Sequence, residues 1–407
     1  MAVNLRQFIA FFYTFVFLKS AMKQLNIIIS LVFTVTFFLG MSQKSTLSGY
    51  LVDATSGEML IGASVFVEEL KVGTSSNLYG FYSLTVPNGT YKVKFSFIGY
   101  KDIVKEIEIN KPMELEVELT SSDVFIKEVV IEDRQGNENT QSTQIGTVEL
   151  EVEKLKTLPA FMGEVDVLKS IQLLPGVQSS GEGNTGFYVR GGGPDQNLIL
   201  LDEAVVYNAA HLFGFFSVFN ADAIKNVNLI KGGMPANYGG RLSSVLDIAM
   251  KDGNNKSFHV DGGIGVIASR LTLQGPIQKN KSSFIVSGRR TYISELAQPF
   301  IKETSPVKGS GYYFYDLNAK VNYQISKKDR LFLTGYFGKD VFTYRQAESD
   351  FTVNIPWGNA TASLRWNHLF SDKLFLNTTA IFSAYDFQFE GRQEDFSFGL
   401  YSGVRDW

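Results

Sequence analysis

WGNATASLRWNH, Trp357–His368, is the stretch whose reading decides the fold. Successive side chains of an extended strand point to opposite faces. Ala360, Ala362, Leu364 and Trp366 therefore share one side, and Asn359, Thr361, Ser363, Arg365 and Asn367 the other. FYDLNAKVNYQI, Phe314–Ile325, repeats the pattern, setting Tyr315, Leu317, Ala319, Val321 and Tyr323 against Asp316, Asn318, Lys320, Asn322 and Gln324. A half-exposed sheet in a soluble sandwich alternates too, over strands of about 5–6 residues. Alternation sustained for roughly ten residues, with a second face this polar, is what a membrane-crossing β-barrel strand requires. In such a strand every backbone group pairs within the sheet, lipid meets one face, and water or a polar plug meets the other.

The neighbouring segments fit the same architecture. Polar turns at 278–281 (QKNK), 326–329 (SKKD) and 370–373 (FSDK) are short, whereas the connections at 291–312 and 339–355 read as long. Short turns on one side of a membrane and long loops on the other are the asymmetry of outer-membrane barrels. About eight strands are expected from Phe258 to Val404, each near the ~10 residues a tilted strand needs.

Composition narrows the function. The 407 residues have room for several domains, and 38 basic against 41 acidic residues give a net charge of -3, with no basic surplus for nucleic acid. Cysteine is absent, which removes disulfides, thiolate-bound metals, cysteine nucleophiles and a lipid-modified N-terminal Cys. His211, His259 and His368 are the only histidines, and none has a Glu or second His at metal-ligand spacing. H-x-x-E, G-x-S-x-G and phosphate-loop patterns are missing as well. No enzymatic activity, catalytic residue, metal or cofactor is expected. The 34 Phe, 18 Tyr and 37 Gly lean toward a β-rich chain with many turns.

The chain divides into five parts. Residues 1–42 are expected to be an export signal: Lys23, the apolar run Ile27–Leu39, and Gly40 and Ser42 predict cleavage before Gln43. A second apolar run, Ile9–Leu18, is superfluous to one signal, which points to Met22 as the start, with an unusually long signal as the alternative. Residues 43–121 predict a small β-sandwich, with Val93, Phe95 and Phe97 on one face and hairpin turns at Ser56-Gly57, Tyr79-Gly80 and Pro87-Asn88-Gly89. Residues 122–147 read as a linker; an edge strand followed by a loop is the plainer alternative for Val129–Ile131.

Residues 148–253 predict a mixed domain. Val165, Leu168, Ile171 and Leu174 recur at helical spacing before Pro175-Gly176; Ala221–Ile224 suggests a short helix, and Val227–Lys231 and Ser243–Ala249 suggest strands. YVRGGGPDQNLILLDEAVVYN, Tyr188–Asn208, has three glycines, but neither the following helix nor the Lys of a phosphate loop. They form a turn into a buried strand ending at Leu201. Residues 254–407 hold the barrel strands. The expected fold class is mainly β: a small β-sandwich, a mixed α/β domain, and the first strands of an antiparallel transmembrane barrel.

GYLVDATSGEMLIGASVFV and GTSSNLYGFYSLTVPNGTYKVKFSFIGY resemble the carboxypeptidase regulatory-like domain, which implies that the β-sandwich is transthyretin-like. LPAFMGEVDVLKSIQLLPGVQ, GFYVRGGGPDQNLILLDEAVVYN, HLFGFFSVFNADAIKNVNLIKGG and ANYGGRLSSVLDI resemble the plug of TonB-dependent outer-membrane receptors of Bacteroidetes type. That resemblance implies a TonB box at Glu128, Val129, Val130 and Ile131, and plug motifs at Arg190, Gly191, Gly192, Asp202, Gly232, Gly233, Gly239, Gly240 and Arg241. Arg190 is expected to pair with carboxylates inside the barrel, and Gly239–Arg241 to play the same part as Arg190–Gly192. One departure stands out: the family follows the Asp with Gly and then, two residues on, Pro, whereas this chain has Asp202-Glu203-Ala204-Val205.

The resemblance further implies an outer-membrane transporter for a scarce or bulky substrate, bound between the plug's outer face and the long loops. Its partners would be the TonB energy-transducing complex, outer-membrane lipid and a surface lipoprotein. A barrel around a plug of this size needs about 22 strands, so the sequence reads as the N-terminal part of a longer receptor. A signalling receptor, a surface adhesin and a secreted binding protein are the alternatives.

Overall fold

The computed structural model describes residues 23–24, 43–122, 146–156, 164–302, 305–346 and 351–407. Apart from residues 23–24, the expected export signal lies outside the described residues, as does the box Glu128–Ile131.

Residues 44–119 fold as a sandwich of two sheets. In one, Lys44–Asp53 pairs antiparallel with Phe81–Pro87 and parallel with Met113–Glu114 and Val117–Leu119. The other has the order Val72–Ser75, Ser64–Val67, Gly89–Ser96, Ile103–Ile109, all antiparallel. Leu47, Leu51, Val65, Val67, Tyr82, Val93, Phe95 and Ile109 fill the space between them, with Phe97 half-buried at the margin. Two expected hairpins are crossovers instead. The turns at Tyr79-Gly80 and Pro87-Asn88-Gly89 each carry the chain from one sheet to the other, because Phe81–Pro87 pairs with Lys44–Asp53 and not with its sequence neighbours. A tight-turn signal fixes the bend of the backbone and leaves open which sheet the next strand joins.

The next domain is built on a five-stranded sheet in the order Ala204–Val205, Asn197–Leu201, Ser244–Met250, Ile224–Ile230, Thr147–Glu151. Asn197–Leu201 and Ser244–Met250 run parallel at its centre, covered on both faces, so NLILL and SVLDIAM are nearly continuous apolar runs. The helix Val167–Ile171 packs on the sheet through Val167, Leu168 and Ile171. Asp166 caps it by accepting from the Lys169 N–H at 3.0 Å. Residues 221–223 form a turn in place of the expected helix, with the Ala223 N–H bonded to the Asn220 carbonyl at 3.0 Å. Four residues are too few to nucleate a helix beside a strand that begins at Ile224.

The last part is one antiparallel sheet of eight strands in sequence order, open at His259–Ile264 and at Phe396–Asp406. The strand count is as expected and the lengths are not: Gly311–Gln324, Asp329–Gln346, Phe351–Ser371 and Leu374–Gln393 have 14, 18, 21 and 20 residues. The expected long connection at 339–355 is mostly strand, since Lys339 pairs with Gly358 and the ladder continues to Gln346 opposite Phe351. The long side of the wall is therefore made partly of strand that overshoots the ~10 residues of a bilayer crossing.

Burial in this sheet is inside out. Asp316, Asn318, Lys320 and Asn322 are buried, and so are Asn359, Thr361, Ser363, Arg365 and Asn367. Leu317, Tyr323, Leu364 and Trp366 face outward and exposed. Among the described residues no helix is long and apolar enough to cross a membrane.

Candidate functional site

A polar wall can be buried only if each charge finds a partner. The mixed domain supplies those partners in three clusters. At the centre, both nitrogens of His211 meet carboxylates: Nδ1 lies 2.7 Å from Asp340 and Nε2 lies 2.8 Å from Asp316. The imidazole stacks on Phe314 at 3.9 Å, and Arg289 donates to Asp316 at 2.7 Å and to the Ser217 carbonyl at 2.8 Å. Burial alone would lower the pKa of His211, but the two aspartates raise it to about 9. As imidazolium it donates from both nitrogens.

The second cluster forms around Asp202. Its carboxylate accepts from Lys320 at 2.9 Å, from the Thr334 hydroxyl at 2.8 Å, and from the Met250 N–H at 3.0 Å. Burial pushes the Asp202 pKa up, yet Lys320, Arg365 and that N–H hold it below the ordinary carboxylate range. Lys320 also reaches Asp252 at 2.9 Å. In the third cluster Arg270 donates to Asp222 at 2.8 Å, and Glu164 lies 3.8 Å from both Arg270 and Arg289. Burial raises the Glu164 pKa against the pull of those two arginines. Buried pairs of this kind add little net stability, but removing one partner costs about 3–5 kcal/mol, so they fix how the domain is seated.

Toward the long-connection end, a cavity of about 450 Å³ opens between the mixed domain and the wall, lined by Asp195, Tyr207, Phe213, Trp357, Tyr385 and Phe387 among others. Its size is that of a small-ligand site. Phe213 is 62% exposed and its ring lies 4.8 Å from Trp357. Leu212 and Phe213 have φ of 47° and 52°, a region that costs a side-chain-bearing residue about 1–2 kcal/mol. The Leu212 N–H holds this turn to the wall, bonding Tyr312 at 2.7 Å and Asp340 at 3.1 Å.

The sequence-predicted residues fall into two groups. Asp202 joins the buried interface. Arg190 is exposed and forms no ion pair with a described residue; its guanidinium lies over Gly232, where an added Cβ would come within 2.8 Å of it. Arg190 and Gly191 have φ of 48° and 88°, and a Cβ on Gly192 would meet Ser243 at 2.3 Å, so this tight turn packs on the strand that follows Arg241. Gly239 and Gly240 are exposed, and Arg241 donates only to the Gly240 carbonyl among described residues. Gly233 lies in the turn after Ile224–Ile230. The sequence reading gave no role to His211, Arg289 or Asp340. Arg365, Asp316 and Lys320 were visible as inward polar positions, which was the signal for the whole class.

Residues 47–131 match "CarboxypepD_reg-like domain" and residues 152–244 match "TonB-dependent Receptor Plug Domain". TonB-dependent receptor P3 of Formosa agariphila is 26% identical over 90 residues, 22% of this chain and 9% of that protein. Among solved structures, the siderophore receptor PirA from Acinetobacter baumannii has 18% identity and a TM-score of 0.37, covering 66% of this chain and 48% of that one. The outer membrane transporter YddB from Escherichia coli has 14% identity and a TM-score of 0.40, covering 64% and 48%. The chain thus spans under a tenth of the curated relative and about half of these solved chains.

Proposed function

We propose that this chain, which matches the CarboxypepD_reg-like and TonB-dependent receptor plug domain descriptions, acts in the outer membrane as a TonB-powered uptake receptor of Bacteroidetes type. The observation that carries the reading is the seating of the plug: buried ion pairs hold it against the polar face of a sheet whose other face is apolar. A channel closed by such a plug opens only when work is done on it, and the outer membrane has no nucleotide supply. Strand addition by a TonB protein at Glu128–Ile131 supplies that work without any catalytic side chain. Substrate enters the cavity beside Phe213 and Trp357. Outer-membrane lipid covers Leu317, Leu364 and Trp366, and a surface lipoprotein closes over the long-connection end.

The absence of cysteine makes the coupling testable. Val129→Cys, Val130→Cys and Ile131→Cys, each paired with single cysteines along the edge strand of a purified TonB C-terminal domain, should form disulfides in an alternating pattern. Failure at all three positions would remove the energy-coupling step.

A further inference from the structure

Glu203 stands where sandwich, plug and wall meet. Its φ is 74° and that of Asp202 is 45°, in the region glycine enters freely and other residues enter under strain. Such strain persists only where surrounding contacts hold it. The contacts here reach out of the plug in two directions. One Glu203 oxygen accepts from the Tyr79 hydroxyl of the sandwich at 2.7 Å. The same oxygen accepts from Asn377 of the wall at 3.2 Å and lies 3.4 Å from the Arg365 guanidinium. Arg365 also sits over the Tyr79 ring at 5.2 Å, and Phe375 stacks on both Tyr79 and Phe81 at 5.4 Å.

The docking continues along the short-turn end of the wall. Ser83 donates to the Asp372 carbonyl at 2.7 Å, and Arg330 lies over Tyr50 at 5.9 Å. Glu58 accepts the backbone N–H groups of Asp252 at 2.8 Å and Gly253 at 3.1 Å, and the Asn255 N–H bonds the Ser56 carbonyl at 2.9 Å. The sandwich thus touches two successive short turns and the entry to the first wall strand, and lies across that end of the plug.

We propose that Glu203 is a latch that clamps the N-terminal sandwich across the short-turn end of plug and wall, making the sandwich a cap that must come away before that end opens. The latch is independent of the transport reading; its consequence for passage rests on that reading.

Glu203→Gly removes the carboxylate and relieves the left-handed strain, so the plug fold is not put at risk. The amides of Asp252, Gly253 and Asn255 donate across the docked face, and their hydrogen exchange, measured on the full chain in detergent micelles, reports release of the cap. Exchange at 252–255 is expected to rise about tenfold or more in Glu203→Gly, the loss of one charged hydrogen bond, while amides 244–250 stay protected. Tyr79→Phe, made in the sandwich, should give the same local rise, and Glu203→Gln, which still accepts from Tyr79, a smaller one. Unchanged exchange at 252–255 overturns the latch, and so does a matching rise at 244–250, which would make Glu203 a support of the plug. Substrate and TonB are absent from this measurement, so a failed coupling experiment and a failed latch are told apart.

Discussion

In the sandwich strand Gly89–Ser96, Val93 and Phe95 are buried while Lys92 faces water; in the wall strand Gly311–Gln324, Asp316, Asn318 and Lys320 are buried while Leu317 faces out. Both strands alternate with period two, and the polarity of the buried side is reversed. The sandwich is held by apolar area removed from water, which needs no particular partner for any one side chain. The wall can bury Asp316, Asp340 and Lys320 only because the plug brings His211 and Asp202 to meet them. One region is sorted by solvent alone, and the other by solvent outside and a specific protein partner inside.

The largest expected effects test that contrast from within. Phe95→Ala empties a fully buried site and should cost the sandwich about 3–5 kcal/mol. His211→Gln leaves two buried carboxylates short of a charge and should cost plug seating a similar ~3–5 kcal/mol. Their pH dependence separates them. The pKa of His211 is raised in the folded chain from 6.5 to about 9, so its stabilisation is fully present below the unfolded value and lost as pH rises through the folded one. Urea unfolding should show the cost of His211→Gln shrinking between about pH 6 and about pH 10, while that of Phe95→Ala stays flat. Equal pH profiles would mean that the interface is held by packing, as the sandwich is.

A smaller effect probes the outer side of the wall. Leu364→Arg places a charge in the middle of the strand Phe351–Ser371, on its outward face, and should cost ~2–4 kcal/mol of stability in lipid vesicles. Heat-modifiable migration on gels, which follows insertion of barrels, reads the loss. Thr361→Val on the inward face keeps volume and lies away from lipid, so it should leave insertion intact. If Leu364→Arg inserts as well as the parent chain, the apolar face does not meet lipid.

How much of this was legible in the sequence depends on range. The inside-out alternation was visible at Asp316, Lys320 and Arg365, because period-two patterning is local. Strand ends were not: pairing of Asp329–Gln346 with Phe351–Ser371 runs on through Lys339–Gln346, where the alternation of buried and open positions fades, and nothing in a single strand marks where its ladder stops. The sandwich crossovers at Gly80 and Gly89 were read as hairpins since a turn encodes its own bend and not its pairing. His211 was passed over because its partners lie 105 and 129 residues away. Glu203 was noticed as a departure from the family pattern, but the hydroxyl that it meets is 124 residues upstream. What a residue costs locally can be read from sequence, and what it meets across the fold cannot.

The smallest predicted effect is the sharpest control on the comparison. Val104 of the sandwich is 52% exposed and Leu364 of the wall is 50% exposed, so by exposure alone the two are equivalent. Val104 lies in the strand Ile103–Ile109, at one side of its sheet, directly opposite Lys94. A charge there stays in water, and its effect reduces to the cross-strand pair, worth roughly 0.2–1 kcal/mol at most. Lys94 already has Asp102 at 2.8 Å, which dilutes the field that a new neighbour feels. Val104→Glu should therefore stabilise the sandwich by under about 0.5 kcal/mol, and Val104→Lys should destabilise it by a similar amount. Both differences should fade in high salt, since exposed charges are screened. Thermal unfolding of the chain in low and high salt would measure this, against Leu364→Arg in vesicles. A cost at Val104 as large as that at Leu364 would show that equal exposure means equal surroundings, and the sandwich would then have to meet lipid or a buried partner too.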